Sequence, residues 1–149
     1  MRAIAGSGAG FLLAVLWFDL MFDVQARGHT ASDVPADIRA SIAAYYACVT
    51  TAARPMNRLV PLAMVTTIAA QVAELVRNDL PVWRASLSLG LTFGAVGLAA
   101  GRTVRNAVRL GRQTDDAAQQ SRAVHTIRRD HLVCLGAIVA VLVLQLLPA

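Results

Sequence analysis

The chain has 149 residues, of which 56% are hydrophobic and only 15% are charged. This hydrophobic content exceeds the roughly 45–50% of soluble domains, and the length allows one domain, residues 1–149. The formal net charge of +5 comes from 14 arginine residues against 9 acidic ones, without lysine. Because these arginines flank apolar stretches and are not interleaved with aromatic residues, they indicate membrane lipids as partners and no nucleic acid.

Four apolar stretches predict an all-α integral membrane protein, a bundle of four transmembrane helices. They cover residues 4–22, 56–76, 83–101 and 132–147. A helix needs about 20 mostly apolar residues to cross the hydrocarbon core. Helices of a soluble bundle would carry an apolar stripe and a polar face. The four stretches are apolar on all faces, so we expect them to span a bilayer.

The arginine distribution predicts the orientation of these helices. Eleven arginines surround the first and third connections and three lie on the other side. By the positive-inside rule, both termini are expected outside the cytoplasm and these two connections inside it. An alanine-rich composition without lysine indicates a GC-rich bacterial genome, and hence a bacterial plasma membrane.

The first connection is expected to contain a cytoplasmic amphipathic helix over residues 37–54. Ser32 or Asp33 is predicted to cap its start, Pro35 suits its first turn, and Pro55 marks the junction with the second transmembrane helix. This helix is expected either to lie at the membrane surface or to lead into the next span. Its apolar residues recur at helical spacing at Ile38, Ile42, Tyr45 and Val49.

The later helices are expected to extend into the cytoplasm. Residues 78–81 predict a tight external turn, after which the third helix runs inward through Arg109 and ends at Gly111. Thr114, Asp115 and Asp116 then supply capping groups for a long fourth helix. The third helix also carries a stripe of small residues, expected to pack within the chain or, alternatively, to form a homo-oligomer: Gly90, Gly94, Gly97 and Gly101.

Polar residues of all four helices are predicted to meet at the cytoplasmic membrane face. Asp19 and Asp23 lie one turn apart on the first helix, and an acid within the membrane normally faces the bundle with a partner. Asp19, His131 and Arg128 are the candidate catalytic residues. The candidate ligand-binding residues are Asp23, Asn57, Arg58, Arg105, Asn106 and His125.

The alternative interpretation of these acids is structural. Asp19 and Asp23 would then pair with Arg58, Arg102 or Arg128 and lock the bundle, while Glu74 would pair with Arg77. Tyr45 and Tyr46 are expected at the membrane interface rather than in a cavity.

No cofactor is predicted. His125 and His131 are six residues apart and so lie on different faces of a helix, and nothing in their spacing requires a metal, which remains an alternative. Cys48 and Cys134 do not form a Cys-x-x-Cys pair, which argues against a thiol–disulfide oxidoreductase, and both are expected to be packing residues.

Three short segments resemble a family of small four-helix membrane proteins that includes anthrone-oxygenase-like enzymes. They are Arg54, Pro55 and Asn57 before the second helix, Arg105 and Asn106 after the third, and His125 and Arg128 before the fourth. The family commonly has a proline before the asparagine that follows its third helix, where this chain has Thr103-Val104-Arg105. The resemblance implies a four-helix layout and, for some members, oxidation of polycyclic phenols without a tightly held cofactor.

Two functions therefore remain open. In the first, the chain binds or converts a lipophilic, phenolic or anionic small molecule at the cytoplasmic polar cluster, with an acid or histidine moving a proton and an arginine stabilising an oxyanion. In the second, the chain is a non-catalytic membrane subunit or an oligomeric scaffold. The sequence does not decide whether the chain is an enzyme.

Overall fold

The computed structural model describes residues 1–148 and is all-helical over them. Its elements in chain order are α1 (Arg2–Asp23), a 3-10 turn (Val24–Ala26), α2 (Ala36–Ala47), a π-helical turn (Cys48–Ala52), α3 (Met56–Arg77), α4 (Val82–Leu98), a second π-helical turn (Ala99–Thr103), α5 (Val104–Arg112) and α6 (Ala117–Leu146). Four continuous helices are long and apolar enough to cross a membrane. They are Arg2–Ala26, Met56–Arg77, Val82–Arg112 and Ala117–Leu146. The prediction of an all-α protein with four helices that are long and apolar enough to cross a membrane is therefore confirmed.

The two chain ends and the α3–α4 turn lie on one side of the bundle, which we call the terminal side. The amino group of Met1 lies 3.5 Å from the Asp79 carboxylate in that turn. The Arg2 guanidinium donates to the Leu147 carbonyl at 2.6 Å. The opposite side holds α2, α5 and the first half of α6, and we call it the arginine-rich side.

The arginine-rich side has its own small hydrophobic core. Helix α2 packs against α5 and α6 there, with Tyr46 and Ile42 buried among side chains of the other two helices such as Leu110 and Ile127. A second cluster, which includes Leu12, Ala95 and Ile138, fills the centre of the four-helix bundle. Helix α2 is therefore docked on neighbouring helices and is not isolated at the membrane surface.

Some predicted helix ends differ from the structure. Helix α2 begins at Ala36 without a side-chain cap, so the predicted cap by Ser32 or Asp33 is wrong. Gly111 lies inside α5, and Gln113 takes the left-handed conformation after that helix with φ of 52°. The predicted cap of α6 is confirmed, because Asp116 accepts a hydrogen bond from the Gln119 amide at 2.7 Å.

The glycine stripe of α4 does not pack within the chain. A Cβ atom added at Gly90, Gly94 or Gly97 would have no other atom within 4 Å, and at Gly101 only the Arg105 side chain. The preferred prediction of intramolecular packing is therefore wrong for this stripe. Helices approach closely at Gly8 instead, where an added Cβ would collide with the Thr67 side chain on α3.

Candidate functional site

The site contains two carboxylates of α1. Asp19 and Asp23 are four residues apart, so both side chains point to one face of the helix where it reaches the arginine-rich side. The Asp23 side chain is fully buried, while that of Asp19 is 17% exposed. Neither carboxylate forms an ion pair with an arginine within residues 1–148, where the basic group that each faces is His131. The predicted pairing of these acids with Arg58, Arg102 or Arg128 is therefore wrong.

Two tyrosines of α2 hold these carboxylates. The Tyr45 hydroxyl donates to Asp19 Oδ1 at 2.6 Å, and the Tyr46 hydroxyl donates to Asp23 Oδ1 at 2.7 Å. The Tyr45 ring also stacks on Phe22, with ring centroids 3.9 Å apart. Burial and the adjacent carboxylates raise the pKa of both phenols well above the ordinary value near 10. Both tyrosines are therefore protonated hydrogen-bond donors at neutral pH, and Tyr46 is buried within the protein.

His131 of α6 joins the two acids. Its Nδ1 lies 2.7 Å from Asp23 Oδ2, and because a carboxylate only accepts, Nδ1 carries the shared proton. This bond fixes the tautomer of the neutral ring and leaves Nε2 as an acceptor. Nε2 lies 3.8 Å from Asp19 Oδ2, beyond direct hydrogen-bonding distance. The three residues thus form an Asp23–His131 pair with a second carboxylate facing its free nitrogen.

A second polar cluster lies directly beside His131 on α6. Asp130 is fully buried and accepts two hydrogen bonds from the Arg102 guanidinium, of which the Nε bond measures 2.9 Å. Thr103 donates to the same carboxylate at 3.1 Å. Arg102 and Thr103 both belong to the π-helical turn that joins α4 to α5. This turn therefore fixes Asp130, and with it the position of the neighbouring imidazole.

Asp19 and His131 line a cavity of about 130 Å³ in the centre of the bundle. Helices α1, α3, α4, α5 and α6 and the second π-helical turn contribute to its wall, which is otherwise mainly apolar. The remaining lining residues are Leu12, Val15, Leu16, Val60, Met64, Ala95, Val96, Ala99, Thr103, Val104, Cys134 and Ile138. An apolar cavity of about 150 Å³ is large enough for one benzene ring. The cavity thus combines a volume near that of one ring with one carboxylate and one imidazole.

No protein-family model, curated protein or solved structure matches this chain. The resemblance to anthrone-oxygenase-like proteins accordingly stays a prediction.

The structure brings together three of the nine predicted site residues, namely Asp19, Asp23 and His131. The others make no hydrogen bond or ion pair with these three within residues 1–148. Arg58 and Arg105 are exposed, and Arg128 and Asn106 are partly exposed. Asn57 and His125 are partly exposed too, and each has one buried polar atom without a partner. The cavity lining contains no arginine, so no oxyanion contact by Arg58, Arg105 or Arg128 is seen there.

Sequence reasoning missed five residues of the two clusters. The sequence predicts Tyr45 and Tyr46 at the membrane interface, because adjacent residues of a helix point in different directions and their spacing does not indicate two acids on another helix. Asp130, Arg102 and Thr103 were not selected, although an acid beside His131 at the start of an apolar span was a usable signal. Within residues 1–148, no group of three or more His, Cys, Asp or Glu side chains is arranged to hold a metal ion.

Proposed function

We propose that the chain binds a small lipophilic molecule with a hydroxyl group, such as a phenol, and exchanges a proton with it in the central cavity. One observation supports this most strongly. His131 Nε2 and Asp19 Oδ2 face each other across 3.8 Å at the wall of an apolar cavity, and each is held by a separate tyrosine or carboxylate partner. A ligand hydroxyl placed there would contact both atoms.

The chemistry of this arrangement is general base catalysis. The ligand O–H bond breaks, His131 Nε2 takes the proton, and the electron pair stays on the ligand oxygen. Asp23 stabilises the resulting imidazolium through Nδ1, as the orienting acid does in other acid–histidine pairs. The hydroxyl has one hydrogen, which bonds Asp19 in the bound ligand and turns to His131 Nε2 for the transfer, so Asp19 positions the ligand.

The lining favours a ligand that enters as a neutral hydroxyl compound, since no arginine lines the cavity, and the anion formed by proton transfer stays paired with the His131 imidazolium. Val104 belongs to the lining and is also half exposed on the bundle surface. We therefore propose that the ligand reaches the cavity laterally, from the bilayer.

We expect Asp19→Asn to weaken binding of 4-fluorophenol by about tenfold or more, because a hydrogen bond to a charged group contributes roughly 1.5–3 kcal/mol. The variant keeps the side-chain shape and an oxygen for Tyr45, so the fold is expected to persist. Binding is measured by fluorine NMR titration of the protein purified in mild detergent.

Two controls make this test specific. Fluorobenzene fills the same space without a hydroxyl, so its affinity should not change in Asp19→Asn. Asp115→Asn removes the same charge from a surface ion pair with Arg109 and should bind 4-fluorophenol as the wild type does. Equal loss of both ligands, or unchanged 4-fluorophenol binding in Asp19→Asn, would rule out the hydroxyl contact.

A second candidate function is an oligomeric membrane subunit, which the outward-facing glycine stripe favours. Gly90, Gly94 and Gly97 leave open space on α4, and stripes with this spacing let a second helix approach closely within a bilayer. In this proposal the stripe meets a second copy of the chain.

We expect Gly94→Leu to convert such an oligomer to monomers, since the leucine side chain would keep the helix backbones apart. Native mass spectrometry of the protein released from detergent micelles reads the oligomeric state directly. Gly136→Leu adds the same side chain at an open position of α6 and serves as the control. A wild type that is already monomeric in both detergent and lipid nanodiscs would exclude this function.

The orientation is also a proposal. The arginine-rich side carries 11 of the 14 arginines, which supports a cytoplasmic position for α2 and α5 and an external position for both termini. A bacterial plasma membrane is supported by the composition.

A further inference from the structure

A separate polar cluster lies near the terminal side of the bundle, apart from the central cavity. It comprises Gln71 and Glu74 on α3, Ser88 on α4 and Gln145 on α6, and at most 3% of any of these residues is exposed. One hydrogen bond is present, from Gln145 Nε2 to Glu74 Oε2 at 2.9 Å. The other polar atoms are buried without a partner, namely Gln71 Oε1 and Nε2, Glu74 Oε1, Ser88 Oγ and Gln145 Oε1.

The helix register places these side chains at a similar depth of the bundle. Gln71 lies seven residues before Asn78, and Ser88 lies seven residues after Pro81. Both therefore lie about 10 Å from the α3–α4 turn. Glu74 is one turn from Gln71 on the same face. Arg84, one turn before Ser88, donates to the Leu144 carbonyl, which places α4 beside Gln145.

Glu74 has no compensating positive side chain. Within residues 1–148 it forms no ion pair, and the predicted partner Arg77 is exposed, so that prediction is wrong. Arg84 directs its terminal nitrogens to the carbonyls of Leu144, Leu147 and Pro148. It therefore stabilises the negative end of the α6 dipole rather than the Glu74 carboxylate.

We propose that this cluster binds one monovalent alkali cation. Four oxygens without partners, from Glu74, Gln71, Ser88 and Gln145, supply the carboxylate, amide and hydroxyl ligands that hard cations prefer. One positive charge neutralises the single carboxylate, whereas a divalent ion would leave a net charge in a low-dielectric environment. A proton on Glu74 would form one new hydrogen bond, and the other oxygen acceptors of the cluster would stay without a partner. Protonation of Glu74 therefore explains fewer of the unpaired oxygens than a bound cation does.

The test is equilibrium binding of radioactive sodium to the full chain in mild detergent, with N-methylglucamine chloride keeping the ionic strength constant. We expect saturable binding of one ion per chain, with competition by unlabelled sodium or potassium. Glu74→Gln should abolish it. Asp79→Asn removes an acid from the neighbouring turn, where it faces the Met1 amino group, and should leave binding unchanged.

A conservative variant keeps the proposal testable if Glu74→Gln does not fold. Ser88→Ala removes one ligand oxygen and is expected to raise the dissociation constant about tenfold. The proposal is overturned if the wild type shows no saturable sodium or potassium binding, or if the binding that it shows is the same in Glu74→Gln and Ser88→Ala. Its failure would leave the phenol site untouched, since the two clusters share no residue.

Discussion

Asp23→Ala is expected to lower the free energy of unfolding by about 3–5 kcal/mol, because it removes the shared acceptor of a buried network. The substitution leaves the Tyr46 hydroxyl and the His131 Nδ1 proton without the partner that each contacts at 2.7 Å. It also removes one hydrogen bond from α1 to α2 and one from α1 to α6. The measurement is equilibrium unfolding in mixed micelles with increasing dodecyl sulfate, followed by circular dichroism.

Two further variants provide reference values for this loss of unfolding free energy. Tyr46→Phe removes one hydroxyl and leaves the Asp23–His131 bond intact, so a loss of about 1–2 kcal/mol is expected. Asp115→Ala removes a surface ion pair and should change stability by less than about 1 kcal/mol. If Asp23→Ala proves as stable as Asp115→Ala, the three-helix network does not stabilise the fold.

The membrane spans were predictable because they depend on local composition. The first two stretches, 4–22 and 56–76, differ from α1 and α3 by no more than two residues at each end. The third and fourth helices are longer than their apolar stretches, since they continue as polar helices on the arginine-rich side. The continuation through Arg109 and the cap at Asp116 were also foreseen, because both follow from helix-end chemistry.

The partners of the buried acids were not predictable from local rules. Three-residue spacing favoured a Glu74–Arg77 pair, but Glu74 bonds Gln145 from a helix 71 residues away in sequence. In the same way, proximity to many arginines suggested ion pairs for Asp19, whereas its partner is a tyrosine of α2. The partner of each acid depends on which faces of α2, α3 and α6 meet, and helical spacing does not specify which faces meet.

The orientation of the glycine stripe illustrates the same limit. Spacing identified Gly90, Gly94 and Gly97 as one face of α4, but which neighbour that face meets depends on the rotation of the helix in the bundle. The prediction that both cysteines are packing residues holds for one of them. Cys134 is buried, whereas Cys48 is exposed.

Gly111→Val is expected to destabilise the protein by about 3 kcal/mol or more, at the upper end of the overpacking range. An added Cβ at Gly111 would lie 2.8 Å from the Ala47 backbone nitrogen and 3.0 Å from its Cα. Backbone atoms cannot rotate away as a side chain does, so α2 must move relative to α5. Gly136→Val adds the same side chain at an open position of α6 and should stay within about 1 kcal/mol of the wild type.

This displacement should also be visible at the site, because Tyr45 and Tyr46 directly precede Ala47. They are the two tyrosines of the chain, so absorbance near 295 nm reports phenol ionisation at the site alone. In the wild type their raised pKa keeps both protonated above pH 10, and stability falls as the pH rises past that value because the unfolded chain ionises first. In Gly111→Val we expect phenolate absorbance to appear near pH 10. Wild-type-like titration in a destabilised Gly111→Val would instead show that α2 keeps its contacts with the carboxylates of α1.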